Sequence, residues 1–466
     1  MVVVGNNVAA LIAALTLGEA GWQVTLLSPS PRLGGHFGGL SLGGEVFDAG
    51  MVFLEFTSFN ADPKADVGSY DPMRKNDVGR FFPLIERTLG RFGSFVPVTT
   101  PQMRVQGRTL PDLLVANRID SLQELEPATK ESMRRELQDI GTVRGPLHAS
   151  QKLSDAGFGS HDLATVSLAN HGRTFHELFV EPFCRKVTGR PSSSLVGLFH
   201  RLAWLPLFYP ETLASVFGGH PQVLPPTTFT YPSNGAVVAL VREIEAAVRA
   251  LPNVAVVVGK VTTVDRRAGR AFTITCGSAA PLDVDRLVWA ADPESLLGAC
   301  GEPAAPPLER VSLTLASALA ASDEVTAPCS TLFLPEGPHL PFRVTNQSFS
   351  SGRPEPWSRL SCEWNGAVLT GPQTELAQQA TSALVELGVV QRRQSVREIR
   401  VDTFADAFVL PTPANLTQLA QRRSQLDLLL PDVPRLGPAA PFGAASLNDQ
   451  IVQGLKVGRQ LGSEEG

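Results

Sequence analysis

Several markers of a specialised chain are missing. Five cysteines, Cys184, Cys276, Cys300, Cys329 and Cys362, are spread over 466 residues without a C-x-x-C pair, so neither a disulfide framework nor a zinc site is indicated. Charged residues make up only 18%, and the net charge of −5 leaves no dominant basic surface to draw nucleic acid. The eight histidines are scattered. His171 and His176 lie five apart on an expected helix and so on different faces, which argues against a metal site. No uncharged apolar run approaches the roughly eighteen residues of a membrane span. The nearest, 195–217, is interrupted by His200, Arg201, Pro206, Pro210 and Glu211. The chain enters a strand at once, with no basic region or cleavage site before it, and a reducing cytoplasmic setting is expected.

What is present is the composition of an ordered globular protein, 43% hydrophobic, at a length that calls for two domains. Val2, Val3 and Val4 are β-branched and few, the mark of a short buried strand. Gly5, Asn6 and Asn7 supply a tight turn. Leu11, Ile12 and Leu15 then recur at helical spacing, Gly18 and Gly21 close the helix, and Val24 to Leu27 form a second strand. Strand, helix and strand make one right-handed βαβ unit, whose helix N-terminus is suited to holding phosphate.

After the second strand come R-x-G-G at 32–35 (Arg32, Gly34, Gly35) and G-x-x-F-D-x-G at 44–50, ending Phe47, Asp48, Ala49, Gly50. These motifs, following a βαβ unit, resemble the FAD-binding amino terminus of the amine oxidase, protoporphyrinogen oxidase and UDP-galactopyranose mutase superfamily. The resemblance implies an α/β fold in which a Rossmann-like FAD-binding domain is interleaved with a substrate domain of mixed β-sheet and helices. It implies cofactor contacts at Gly5, Asn7, Ala10, Ser28, Arg32, Gly34 and Gly35. It adds Val261, in a segment where backbone reads adenine, and Ser446, Leu447 and Asn448, which begin a helix under the flavin ring. The chain departs from the family pattern in four places. Asn7 replaces the middle glycine of G-x-G-x-x-G, Ser28 replaces the acidic residue that holds the ribose, and Pro438 stands where an arginine is expected. Met51, Val52 and Phe53 stand where a histidine is expected.

The remaining chain reads as helices over 78–89, 110–117, 121–126 and 130–140, a loop over 141–150, and a phenylalanine-rich helical stretch ending in K-x-x-G-R-P at 186–191. A helix over 237–251, a buried strand over 254–258 and strands over 271–275 and 283–290 follow. An alternating sheet over 311–366 comes next, then helices over 374–387 and from 446. The expected division is 1–60, 225–300 and 405–466 for the FAD-binding domain, and 61–224 and 301–404 for the substrate domain. On the alternating sheet, Arg343 and Asn346 are the candidate substrate-binding groups, Arg343 through its planar fork. No second glycine-rich unit suggests a built-in nicotinamide domain, and no catalytic acid or base is identifiable. Three functional readings remain: an FAD-dependent oxidoreductase of the amine oxidase or protoporphyrinogen oxidase type acting on a small-molecule substrate, a sugar-nucleotide mutase that uses its flavin without net redox change, and a flavin-free, non-catalytic descendant of the fold.

Overall fold

A computed structural model describes residues 1–74, 77–140, 161–197, 208–218, 227–267, 271–277, 280–327, 329–353 and 355–462. Val2–Val4 (β1) is flanked on one side by Val24–Ser28 (β2) and on the other by Leu287–Trp289, all parallel, and Val254–Val258 completes a four-stranded parallel sheet beyond β2. The helix Val8–Glu19 (α1) connects β1 to β2. Almost every residue of α1 is buried, in keeping with its largely apolar sequence, so it is a core helix that meets solvent only near its end, at Glu19. It lies against the last helix, Leu447–Gly462. That close approach needs glycine: a Cβ on Gly458 would stand 2.0 Å from Thr16 Oγ1, and one on Gly454 2.7 Å from Ile12 Cβ.

A seven-stranded mixed sheet forms the second body, in the order Val396–Val409, Arg310–Ala321, Trp357–Asn365, Arg343–Asn346, Thr331–Phe333, Gln102–Val105, Arg108–Pro111. Sequence-distant pieces therefore meet in each sheet, giving the expected α/β architecture. The Val396–Val409 strand spans position 405, the expected boundary, and its register against Arg310–Ala321 shifts there, between Phe404 and Phe408.

Three elements differ from expectation for identifiable reasons. Residues 110–117 are not a helix: Arg108–Pro111 is a strand, and the turn after it is tied down by Asp112, whose carboxylate accepts from the amides of Leu114, Val115 and Ala116. The Val254–Val258 strand is an edge strand with Val257 and Val258 exposed, so its apolar run does not mean two-sided burial. The segment 283–290 holds the ends of two strands, Leu282–Val284 and Leu287–Trp289, in different sheets. The helix over 130–140 is present as Pro127–Ile140 with Met133 and Leu137 buried, whereas the expected loop over 141–150 lies outside the described residues.

Candidate functional site

The groove between β1 and α1 brings together Gly5, Asn7, Ala10, Gly34 and Gly35. Asn7 adopts an extended backbone and caps α1, its Oδ1 accepting from the Ala10 amide at 3.0 Å. Its Nδ2 donates across the groove to the carbonyl of Ala290, just past the Leu287–Trp289 strand. The glycine loop docks on the same turn through a Gly34 N–H to Asn6 carbonyl bond, and a Cβ on Gly35 would lie 3.2 Å from Asn7 Cβ. From the far side comes Gly437, with φ of +56°, where a Cβ would meet Asn7 Nδ2 at 2.6 Å. The Gly437 amide is itself engaged, donating to Gln453 Oε1 at 2.7 Å. Asn7 is consequently 5% exposed, with both ends of its carboxamide satisfied.

This arrangement tests whether the residues fit FAD. A diphosphate at a helix N-terminus needs free amides and room beside them. Here the Ala10 amide is taken by Asn7, and the space between the turn, Ala290 and Gly437 holds its carboxamide. With the side chain so placed, the Ala10 amide and the space beside it are not open to a diphosphate.

The side chains at the other expected contact positions meet internal partners. Ser28 is buried, and its hydroxyl donates to the Ser30 carbonyl and accepts from the Ser30 amide. The Arg32 guanidinium caps the Gly38 carbonyl through Nε and Nη2. Val261 opens the Val261–Arg266 strand, and its side chain packs in a core cluster with Val2, Leu27 and Trp289. The Ser446 hydroxyl accepts from the Asp449 amide at 3.1 Å and donates to the Asp449 carboxylate, while Asn448 Nδ2 donates to the Glu55 carbonyl at 2.8 Å. Leu447 is core. The dipole of the last helix already faces an acid of its own chain, Asp449, which also accepts from the Tyr70 hydroxyl at 2.7 Å.

On the large sheet, the fork of Arg343 is engaged by Glu363, and Asn346 caps a short helix by accepting from the Phe349 amide at 3.0 Å. Both candidate substrate groups thus have internal partners. The Asp48 of the F-D-x-G stretch is structural as well. Its carboxylate accepts from Tyr231 Oη and from the Val237 and Val238 amides that start the helix Val237–Ala250. Burial pushes this carboxyl up, against the pull of those three donors.

Glu55 and Asp449 were not singled out from the sequence. Burial, and secondarily the Asp449 charge, push the Glu55 carboxyl up to about 7. The two lie 394 positions apart in the chain, and no local pattern signals the encounter. Among the described residues no group of three His, Cys, Asp or Glu is placed to hold a metal, and no helix is long and apolar enough to cross a membrane.

Solved structures resemble the chain along its whole length. A reduced UDP-galactopyranose mutase superposes with a TM-score of 0.73 at 14% identity, covering 100% of this chain and 94% of that one. Cyclohexylamine oxidase from Brevibacterium oxydans gives 0.62 at 14% identity, with 100% and 98% covered. Putrescine oxidase bound to putrescine gives 0.60 at 12% identity, with 100% and 98% covered. The chain has the fold of these enzymes. No protein-family model matches it, and no curated protein matches it by sequence. The resemblance drawn from R-x-G-G and F-D-x-G therefore holds for the architecture, and the similarity in shape leaves the activity open.

Proposed function

We propose that the chain is a flavin-free, non-catalytic descendant of this fold that serves as a scaffold, without flavin redox chemistry. One observation carries the reading: the Asn7 carboxamide bonds to the Ala10 amide and the Ala290 carbonyl inside the groove that a dinucleotide would need. The purified protein tests it. A colourless sample that leaves the fluorescence of added FAD unquenched is expected, and a yellow sample or saturable quenching overturns the reading.

A second reading, an FAD-dependent oxidoreductase acting on a small organic molecule, is favoured by the retained glycine loop, which is still docked on the β1–α1 turn through Gly34. Should flavin be found, bleaching by substrate without oxygen supports that oxidoreductase. Activity only after dithionite reduction supports instead a sugar-nucleotide mutase, the direction in which the TM-score of 0.73 leans.

A further inference from the structure

We infer that Asn7 is an internal occupant of the diphosphate groove, and that this one side chain decides whether a nucleoside diphosphate can enter. The inference rests on the flavin-free reading and goes further, because it assigns the exclusion to a single residue.

Gly5, Gly34, Gly35 and Gly437 contribute backbone, with φ of +144°, +95°, +60° and +56°, and Ala290 contributes its carbonyl. Ala10 contributes an amide and a methyl group. Asn7 is the polar side chain that reaches across, and it does two things a bound diphosphate could not do together. Its oxygen satisfies the α1 amide that would otherwise seek an anion, and its nitrogen satisfies the Ala290 carbonyl, an acceptor that would repel one. A neutral carboxamide thus pairs the Ala10 amide and the Ala290 carbonyl across the groove. The contact is also close, since a Cβ on Gly437 would approach Asn7 Nδ2 to 2.6 Å, so the carboxamide fills the space that glycine leaves at position 437. Deleting the carboxamide leaves backbone walls, a free α1 amide and a vacated volume. Those are the elements an N-terminal phosphate site requires.

The test uses the full chain as wild type, Asn7→Gly and Asn7→Ser, titrated with ADP and separately with FAD, read by calorimetry and flavin fluorescence, with circular dichroism reporting the fold. Wild type is expected to bind neither. Asn7→Gly is expected to melt at lower temperature than wild type, to bind ADP at least about tenfold more tightly than any residual wild-type binding, as one regained hydrogen bond to a charged group implies, and to regain thermal stability when ADP is added. Binding of ADP without FAD also supports the inference, because only the diphosphate groove is claimed. If Asn7→Gly does not fold, Asn7→Ser decides, since serine still caps the helix but is too short to reach Ala290. A folded variant that binds neither ligand overturns the inference and leaves the flavin-free reading standing. Wild-type protein that binds FAD as tightly as the variants overturns both.

Discussion

Arg343 and Glu363 stand opposite each other in register on neighbouring antiparallel strands. Arg343 Nε donates to Glu363 Oε1 at 2.7 Å, and Nη2 pairs with the second oxygen. The same carboxylate accepts from the Met51 amide at 3.1 Å, just after the F-D-x-G turn. It therefore ties the large sheet to the amino-terminal segment. Arg343 keeps some solvent contact while Glu363 is buried, so removing one partner of this half-buried pair costs about 1–3 kcal/mol. Glu363→Gln is expected to lower unfolding stability by that order in urea melts, and a value near zero would show that the pair is a passive surface contact.

Asp48 supplies three acceptor contacts that nothing else nearby replaces. Asp48→Ala strands two helix-start amides and the Tyr231 hydroxyl, each costing about 1–3 kcal/mol when unpaired. Tyr231→Phe removes a single donor and should cost about 1 kcal/mol. Chemical denaturation of the two variants checks the order: a Tyr231→Phe loss equal to that of Asp48→Ala would contradict the assignment of the carboxylate as the cap of Val237–Ala250.

Glu55 makes stability depend on pH. Its folded-state pKa of about 7 lies above the ordinary 4.5. Below 4.5 both folded and unfolded states hold the proton. Between 4.5 and 7 the unfolded state gives it up first, so stability falls as pH rises through that window and levels off above it. Lys186, buried with Nζ donating to the Leu334 and Glu336 carbonyls and its pKa lowered to about 7, acts in a different window: from 7 towards 10.5 its contribution improves as pH rises. Glu55→Gln is expected to flatten the loss between pH 5 and 7 in thermal melts and to raise the melting temperature at pH 7.5. An unchanged profile would rule Glu55 out as its source.

Gly458 is held to its size by Thr16. Adding one methyl group there overpacks the helix pair, for about 1–3 kcal/mol. Thr16→Ala should not restore Gly458→Ala, because the Thr16 Cβ would itself lie 2.5 Å from the new methyl group. Melting curves of the single and double variants decide this, and full recovery in the double variant would mean that only the hydroxyl is in the way.

Much of the architecture was legible in local chemistry. Val2–Val4, the turn at Gly5 and the periodicity of Leu11, Ile12 and Leu15 specify a βαβ unit whatever follows, and the glycine doublet marks the loop that docks on it. Ser446 likewise predicts the start of the last helix, since a hydroxyl at that place caps it. What was not legible depends on distant partners. Asn7 reads as a lost glycine until Ala290 and Gly437 are placed around it, and only then is it a filled groove. Arg343 reads as a free fork until Glu363 arrives on the adjoining strand. The apolar run at 254–258 cannot announce that its sheet ends there, because an edge is a property of what fails to pair beside it. Phe404 lies on a long strand, Val396–Val409, that was missed altogether because it mixes charged and apolar residues along an exposed edge.

The glycine seam between α1 and the last helix also sets an order of events during synthesis. Helix α1 is apolar over most of its surface, yet the surface that covers one side of it lies in residues 447–462. A ribosome thus releases the first helix hundreds of residues before its cover exists, and the parallel sheet it belongs to waits for strands as late as 287–289. Contacts so remote in sequence form slowly and leave greasy surface open in the meantime. A nascent chain of this kind has reason to depend on a chaperone until its final helix emerges.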